Sequence, residues 1–118
     1  MRDKTKDVAV RLAAAALGVG LLLQVSDALG ALPEIRISQS QMRFSEKKIL
    51  ASLGQVVTFA NNDSVTHNIS VRSGAGGDTL DLGLQKPGVP VSHRFDQKGV
   101  YSVVCSIHPK MRLMVRVD

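Results

Sequence analysis

The sequence predicts an all-β protein, folded as a sandwich or a barrel. Beyond residue 30, short segments of alternating apolar and polar side chains are separated by turn-forming residues about every eight to twelve positions, a spacing typical of those folds. No stretch of this part has the period of a long helix. Aromatic residues make up only 3% of the chain, so we expect a core built mainly from Val, Leu, Ile and Met.

The predicted strands lie between clear turn signals. The segment "QVVTFAN" is rich in β-branched residues, "HNISVR" follows the polar turn "NNDS", and "VYSVVC" follows Gly99. The Gly-rich segment 72–90 is predicted to be a loop with at most one short strand. In chain order the predicted strands are EIRIS (34–38), QVVTFAN (55–61), HNISVR (67–72), VSHRF (91–95), VYSVVC (100–105) and RLMVRV (112–117).

Residues 1–30 have the order of a secretory signal peptide. The cationic "MRDKTKDVAVR" precedes an uncharged apolar run, residues 12–25, and small residues follow. That run is short for a membrane span, which needs about twenty residues. We therefore expect export to the periplasm, with cleavage after Gly30 or Ala28 and a mature domain over residues 31–118. An uncleaved anchor is the alternative.

The chain is basic, with a formal charge of +5 and a sequence pI of about 9.8. Such a balance suits nucleic acid, a membrane surface or an acidic protein partner. The Lys and Arg residues are scattered and aromatics are rare, whereas a nucleic-acid interface calls for a basic stripe with interleaved aromatics. We expect a solvated basic surface, no nucleic acid, and no stable membrane insertion unless the N-terminal segment stays uncleaved.

Cys105 is the only cysteine in the chain. Exported domains normally use cysteines in pairs, as disulfides. A single cysteine in such a protein is a free thiol, half of an intermolecular bridge, or a metal ligand.

The surroundings of Cys105 favour a metal site. His108 and Met111 follow it in "CSIHPKM", and His67 begins a predicted strand after a turn. Strand ends gather at the two ends of a sandwich, so His67 and Cys105 can meet. Two imidazoles and a thiolate with a weak axial thioether form a blue-copper electron-transfer site. Zinc suits Cys and His as well, but Met is a poor zinc ligand and the loop holds no carboxylate.

Other candidate ligands fit less well. In the last predicted strand, Met111 shares the parity of the inward-facing Leu113 and Val115, whereas Met114 alternates outward with the arginines. His93 lies within a strand, far from any loop motif, and we expect a structural or surface role for it. Asn62 and Asp63 are expected to form a turn rather than to bind metal.

The residues "HN" at 67–68 and "GVYSVVCSIHPKM" at 99–111 resemble small type 1 copper proteins of the plastocyanin/amicyanin family. The Cys-x-x-His-x-x-Met spacing, with Pro109 after the histidine, is most similar to amicyanin. The resemblance covers roughly residues 55–118. It implies an eight-stranded Greek-key sandwich of the cupredoxin type. It also implies an amide link from Asn68 to Ser106. Residues 72–88 depart from the amicyanin pattern, so the resemblance does not name a redox partner.

The same resemblance implies a function. The protein would carry single electrons between redox partner proteins in the periplasm, as a monomer and without enzymatic activity. The alternative is a periplasmic module that binds or carries copper and has no redox role. One copper ion would be held by His67, Cys105, His108 and Met111.

Overall fold

Nine β-strands are present in residues 32–74 and 76–118, the part of the chain that the computed structural model describes. The predicted signal peptide lies outside these residues. Within them there is no helix, and so none that could cross a membrane. The strands are β1 (Ile35–Ser40), β2 (Arg43–Phe44), β3 (Lys48–Ala51), β4 (Val56–Asn61), β5 (His67–Ser73), β6 (Thr79–Gln85), β7 (Pro90–Arg94), β8 (Gly99–Val104) and β9 (Arg112–Val117).

The strands form two sheets. One has the order β2-β1-β4-β7, and the other has the order β3-β9-β8-β5-β6. The β1–β4 and β3–β9 pairs are parallel, and the other pairs are antiparallel. Parallel neighbours cannot be joined by a hairpin, so the chain crosses between the sheets. The all-β prediction is confirmed. The described residues contain nine strands where the family resemblance implied eight, and β2 is only two residues long.

Alternation along the strands determines which side chains form the core. In β9, Leu113, Val115 and Val117 are buried, whereas the intervening Met114 is 45% exposed. The parity predicted for this strand is therefore correct. The buried apolar side chains form one cluster: Ile37, Phe44, Ala51, Val57, Phe59, Ile69, Val71, Phe95, Val103, Cys105, Met111, Leu113, Val115 and Val117.

The Gly-rich segment corrects one prediction. It was expected to hold at most one short strand, but β6 is seven residues long and pairs with β5 at the edge of its sheet. Most of its side chains are exposed, and Gly83 adopts a φ of +92°. Backbone hydrogen bonds to β5 hold β6 in place. A strand held in this way need not show an alternating apolar pattern in the sequence.

Three strand ends meet at one end of the second sheet. His67 begins β5, residues 105–111 connect β8 to β9, and Gln85 ends β6 opposite His67. We call this the Cys105 end. At the far end, Gly99 pairs with Val117.

Buried amides brace the loop that leads to His67. The Asn61 side chain donates to the carbonyls of Val65 and Gln85, and the Gln85 side chain donates to those of Phe59 and Val89. Most buried polar groups in folded proteins are hydrogen-bonded. These bonds therefore hold the turn before β5 against the neighbouring strands.

Truncating Leu113 to Ala should lower the free energy of unfolding by about 2–5 kcal/mol, because a fully buried leucine leaves a cavity when shortened. Met114→Ala, one position along the strand and exposed, should cost under about 1 kcal/mol. Urea denaturation of the copper-free protein measures both. Equal losses would contradict the observed orientation of β9.

Candidate metal centre

Two imidazoles and one thiol converge at the Cys105 end. His67 Nδ1 lies 3.1 Å from His108 Nδ1, and each of these nitrogens lies 3.8 Å from Cys105 Sγ. The two rings meet edge to face, with an interplanar angle of 75°. His67 and Cys105 are fully buried, whereas His108 is half-buried. Residues 38 positions apart in the sequence are thus brought into one cluster.

The separations of these atoms match a single metal ion among them. With zinc bond lengths as a guide, about 2.0–2.1 Å to imidazole nitrogen and about 2.3 Å to thiolate, a trigonal site separates N from S by about 3.8 Å and N from N by about 3.6 Å. The observed N–S distances agree with these values, and the observed N–N distance of 3.1 Å is shorter. The donor set of two imidazoles and a thiolate suits copper or zinc by its chemistry.

The loop 105–111 is closed by its own backbone. The Cys105 N–H donates to the Met111 carbonyl at 3.3 Å, and the Met111 N–H donates to the His108 carbonyl at 2.9 Å. Pro109 has no N–H and a restricted φ, which stiffens the loop directly after His108. Cys105 and His108 are therefore held at a fixed separation.

Asn68 connects the two segments that carry the donors. Its backbone N–H points at Cys105 Sγ, 3.4 Å away. Its side-chain oxygen accepts from the Ser106 N–H, and its side-chain nitrogen donates to Ser106 Oγ at 3.2 Å. The predicted amide link from Asn68 to Ser106 is confirmed. The Asn68 N–H is thus directed at the atom that would bind the metal.

Asp63 has a role that the sequence did not reveal. It was expected only to form a turn, and its backbone N–H does bond to the Asn61 side chain. Its carboxylate also accepts a hydrogen bond from His67 Nε2 at 2.7 Å. An acidic residue four positions before a candidate ligand histidine is the one signal that could have suggested this contact.

The same carboxylate supports a strained turn between β1 and β2. It accepts from the backbone N–H of Gln41 at 2.5 Å and of Met42 at 3.0 Å. Both residues have positive φ, 53° and 56°, a conformation unfavourable for residues other than glycine. Asp63 therefore ties this turn to His67.

These contacts lower the pKa of the Asp63 carboxyl. Burial alone raises the pKa of the Asp63 carboxyl, but the hydrogen bonds from His67, Met42 and Gln41, together with the charge of His67, hold that pKa below its ordinary value of 3.8. An ionised carboxylate can only accept a hydrogen bond, so His67 Nε2 carries the hydrogen in this contact. In a neutral His67 ring the lone pair would then lie on Nδ1, the nitrogen that faces Cys105 and His108 and that a metal would need.

The two methionines have the orientations that strand alternation predicted. Met111 is buried in the core cluster with Cys105, and Met114 is exposed. His93 stands away from the cluster and packs edge to face on Phe95, with ring centroids 4.7 Å apart. Burial lowers the pKa of His93, and the nearby Asp96 opposes that shift. His93 therefore has the structural role expected of it.

Comparison with known proteins decides between the metals. Residues 33–118 match the copper binding proteins of the plastocyanin/azurin family. The chain belongs to this family. Its metal is accordingly one copper ion, and the cluster of His67, Cys105 and His108 offers the donors for it within the described residues.

Relatives within the family are amicyanins. Amicyanin-alpha of Methylorubrum extorquens is 29% identical over 107 residues, which cover 90% of this chain and 88% of the relative. Amicyanin of Paracoccus denitrificans is 27% identical over 85 residues, which cover 71% of this chain and 65% of that protein.

Solved structures give the same result. A reduced Cu(I) form of an amicyanin variant at pH 4 superimposes with a TM-score of 0.66 at 27% identity, covering 77% of this chain and 88% of that chain. An oxidized amicyanin variant gives the same TM-score and coverage at 26% identity. The cupredoxin sandwich predicted for this copper protein is confirmed.

The lowered pKa of Asp63 should appear in acid denaturation. A carboxyl whose pKa is depressed in the folded state contributes stability that is fully present above the unfolded value, here 3.8, and is lost as pH falls through the lower native value. We expect Asp63→Asn to lower stability at pH 6 and to reduce the loss seen below pH 3.8. Urea titrations of the copper-free protein from pH 6 downward measure this difference.

Asp78→Asn is the matched control, because Asp78 is an exposed aspartate in the segment before β6. If Asp63→Asn and Asp78→Asn changed the pH dependence of stability equally, the carboxylate–imidazole contact would not be responsible.

Proposed function

We propose that this protein is an exported blue-copper electron carrier that passes single electrons between redox partner proteins and catalyses no reaction of its own. In this proposal His67, Cys105 and His108 are the strong copper ligands and Met111 is the weak axial one. The observation that carries it is the convergence of two Nδ1 atoms and one Sγ at distances that suit one ion.

The burial of Cys105 supports a ligand role. Its side chain is fully buried, so it is not available to form a bridge to another molecule. Of the explanations for a lone cysteine in an exported chain, a free thiol and a metal ligand remain. The Asn68 N–H directed at its sulfur favours the ligand.

The rigidity of the donors supports electron transfer. Copper in such a site alternates between Cu(I) and Cu(II), and soft sulfur and imidazole ligands accommodate both states. His67 is held by Asp63, Cys105 is held through Asn68, and the loop is closed by its own hydrogen bonds. A framework fixed in advance needs little rearrangement when charge changes.

The position of His108 supports an exit for the electron. Its Nδ1 faces the cluster, while the residue also lines a surface groove with Met42, Ile107 and Pro109. It is half-buried where His67 is fully buried. The exposed edge of His108 thus offers a short path from the copper to a docked partner.

The cellular setting forms part of the proposal. Residues 1–30 are proposed to be a signal peptide, and residues 31–118 a single mature domain that works in the periplasm as a monomer. The family match, which begins at residue 33, is consistent with this division.

Copper loading tests the ligand set. One equivalent of Cu(II) should give an intense blue thiolate-to-copper absorption band and a narrow copper hyperfine splitting by EPR. Cys105→Ser should abolish the blue band and leave a folded β-protein, whereas His93→Asn, at the histidine outside the cluster, should retain it. A colourless wild type with stoichiometric copper would overturn the proposal.

Repeated oxidation and reduction in the presence of a copper chelator distinguishes an electron carrier from a copper carrier. An electron carrier keeps its copper, whereas a copper carrier releases it.

The two methionines can be separated by voltammetry. Met111→Leu should raise the reduction potential and keep the blue colour, because a weak axial bond is lost while the three strong ligands remain. Met114→Leu should leave the potential unchanged, since this residue is 45% exposed and points away from the core. If Met114→Leu shifted the reduction potential and Met111→Leu did not, Met114 and not Met111 would be the axial ligand.

A further inference from the structure

An apolar spot surrounds the exposed edge of His108. Met42 is 51% exposed and Ile107 is 47% exposed, and both line one groove with His108 and Pro109. Met42 sits in the turn that Asp63 holds by hydrogen bonds. The carboxylate that contacts His67 therefore also holds Met42 in the apolar spot.

Cationic side chains lie next to this spot. Arg43 and Lys110 line the groove itself and also line a second groove next to it. Lys47 and Arg112 line the second groove, together with a single carboxylate, Glu46. We call the four exposed cations Arg43, Lys47, Lys110 and Arg112 the basic rim.

The charges of the basic rim are not cancelled by nearby carboxylates. Among the described residues, the ion pairs formed by Lys or Arg are Arg36 with Glu34 and Arg116 with Asp118, and none includes a member of the rim. Arg112 donates to the carbonyl of Pro109, which leaves its charge in place. At the far end of the sandwich, by contrast, Arg116 is neutralised by Asp118 at 3.1 Å.

We propose that the apolar spot and the basic rim together dock an acidic redox protein, whose own electron-transfer site lies beside an apolar projection flanked by carboxylates. This rests on the proposed electron-carrier function. Contact at the apolar spot would exclude water beside His108 and shorten the electron path. The rim would orient the partner before contact, since charges at the edge of an interface act mainly on the association rate.

The shape of the surface favours a protein over an anionic membrane. The exposed apolar side chains line a groove, which receives a protruding side chain. A bilayer surface presents no such projection, and peripheral membrane binding uses apolar side chains that protrude.

The experiment uses the copper-loaded protein and two protein probes. Reduced plant-type ferredoxin, an acidic one-electron donor, gives one electron to Cu(II) and forms oxidised ferredoxin and Cu(I). Reduced cytochrome c, a basic donor, reacts in the same way. Stopped-flow absorbance of the blue band gives both second-order rate constants at about 10 mM and about 200 mM ionic strength, a range across which surface charges become screened.

The test variant is Arg43→Gln/Lys110→Gln. The matched control is Arg94→Gln/Lys98→Gln, which removes the same charge from two exposed residues, of which Lys98 directly precedes Gly99 at the far end. We expect salt to slow the ferredoxin reaction of the wild type, and the test variant to slow it by about threefold or more at low ionic strength. The control variant should stay close to the wild type, and cytochrome c should react faster as salt rises.

Equal effects of the test and control variants on the ferredoxin reaction would overturn the proposal, because net charge alone would then account for the rates. Faster reaction with cytochrome c than with ferredoxin, after correction for driving force, would also overturn it. Sedimentation of the wild type with phosphatidylserine vesicles, lost in the test variant, would assign the rim to a membrane instead. A protein that stays blue and cycles reversibly in any of these cases keeps its electron-carrier function and loses only the docking surface.

Discussion

The hydrogen bonds between Asn68 and the segment after Cys105 are the constraint on which the rest of the site depends. They join the start of β5 to the end of β8, and these two strand ends carry the buried donors. Apart from this link, direct pairing between β5 and β8 begins only further along, at Ser70 and Val104. The sandwich brings the two segments near each other, and the Asn68 amide sets their separation.

A second set of hydrogen bonds connects the metal centre to the surface. Asp63 bonds to His67 on one side and to the turn at Gln41 and Met42 on the other. One carboxylate thus orients a buried imidazole and shapes the exposed surface around His108. A change at the surface turn can therefore reach the copper environment through a single side chain.

The sequence predicted the features that depend on spacing and parity. Alternation in β9 placed Leu113 inside and Met114 outside, and the order of strand ends brought Cys105 near His67. It did not predict β6, whose exposed side chains carry no core pattern and whose strand depends on backbone pairing with β5. Nor did it predict the contact from Asp63 to His67. That contact depends on the path of the chain through a turn, which local residue preference does not determine.

The parallel pairing of β3 with β9 bears on the order in which the molecule can fold. Lys48 lies beside Met114 and Ala51 beside Val117. Since β3 is an edge strand whose one neighbour is β9, it cannot pair until β9 is present. Contacts between positions so distant in sequence form late and slowly, because a long loop must close first. A chain still emerging from the ribosome cannot complete this sheet.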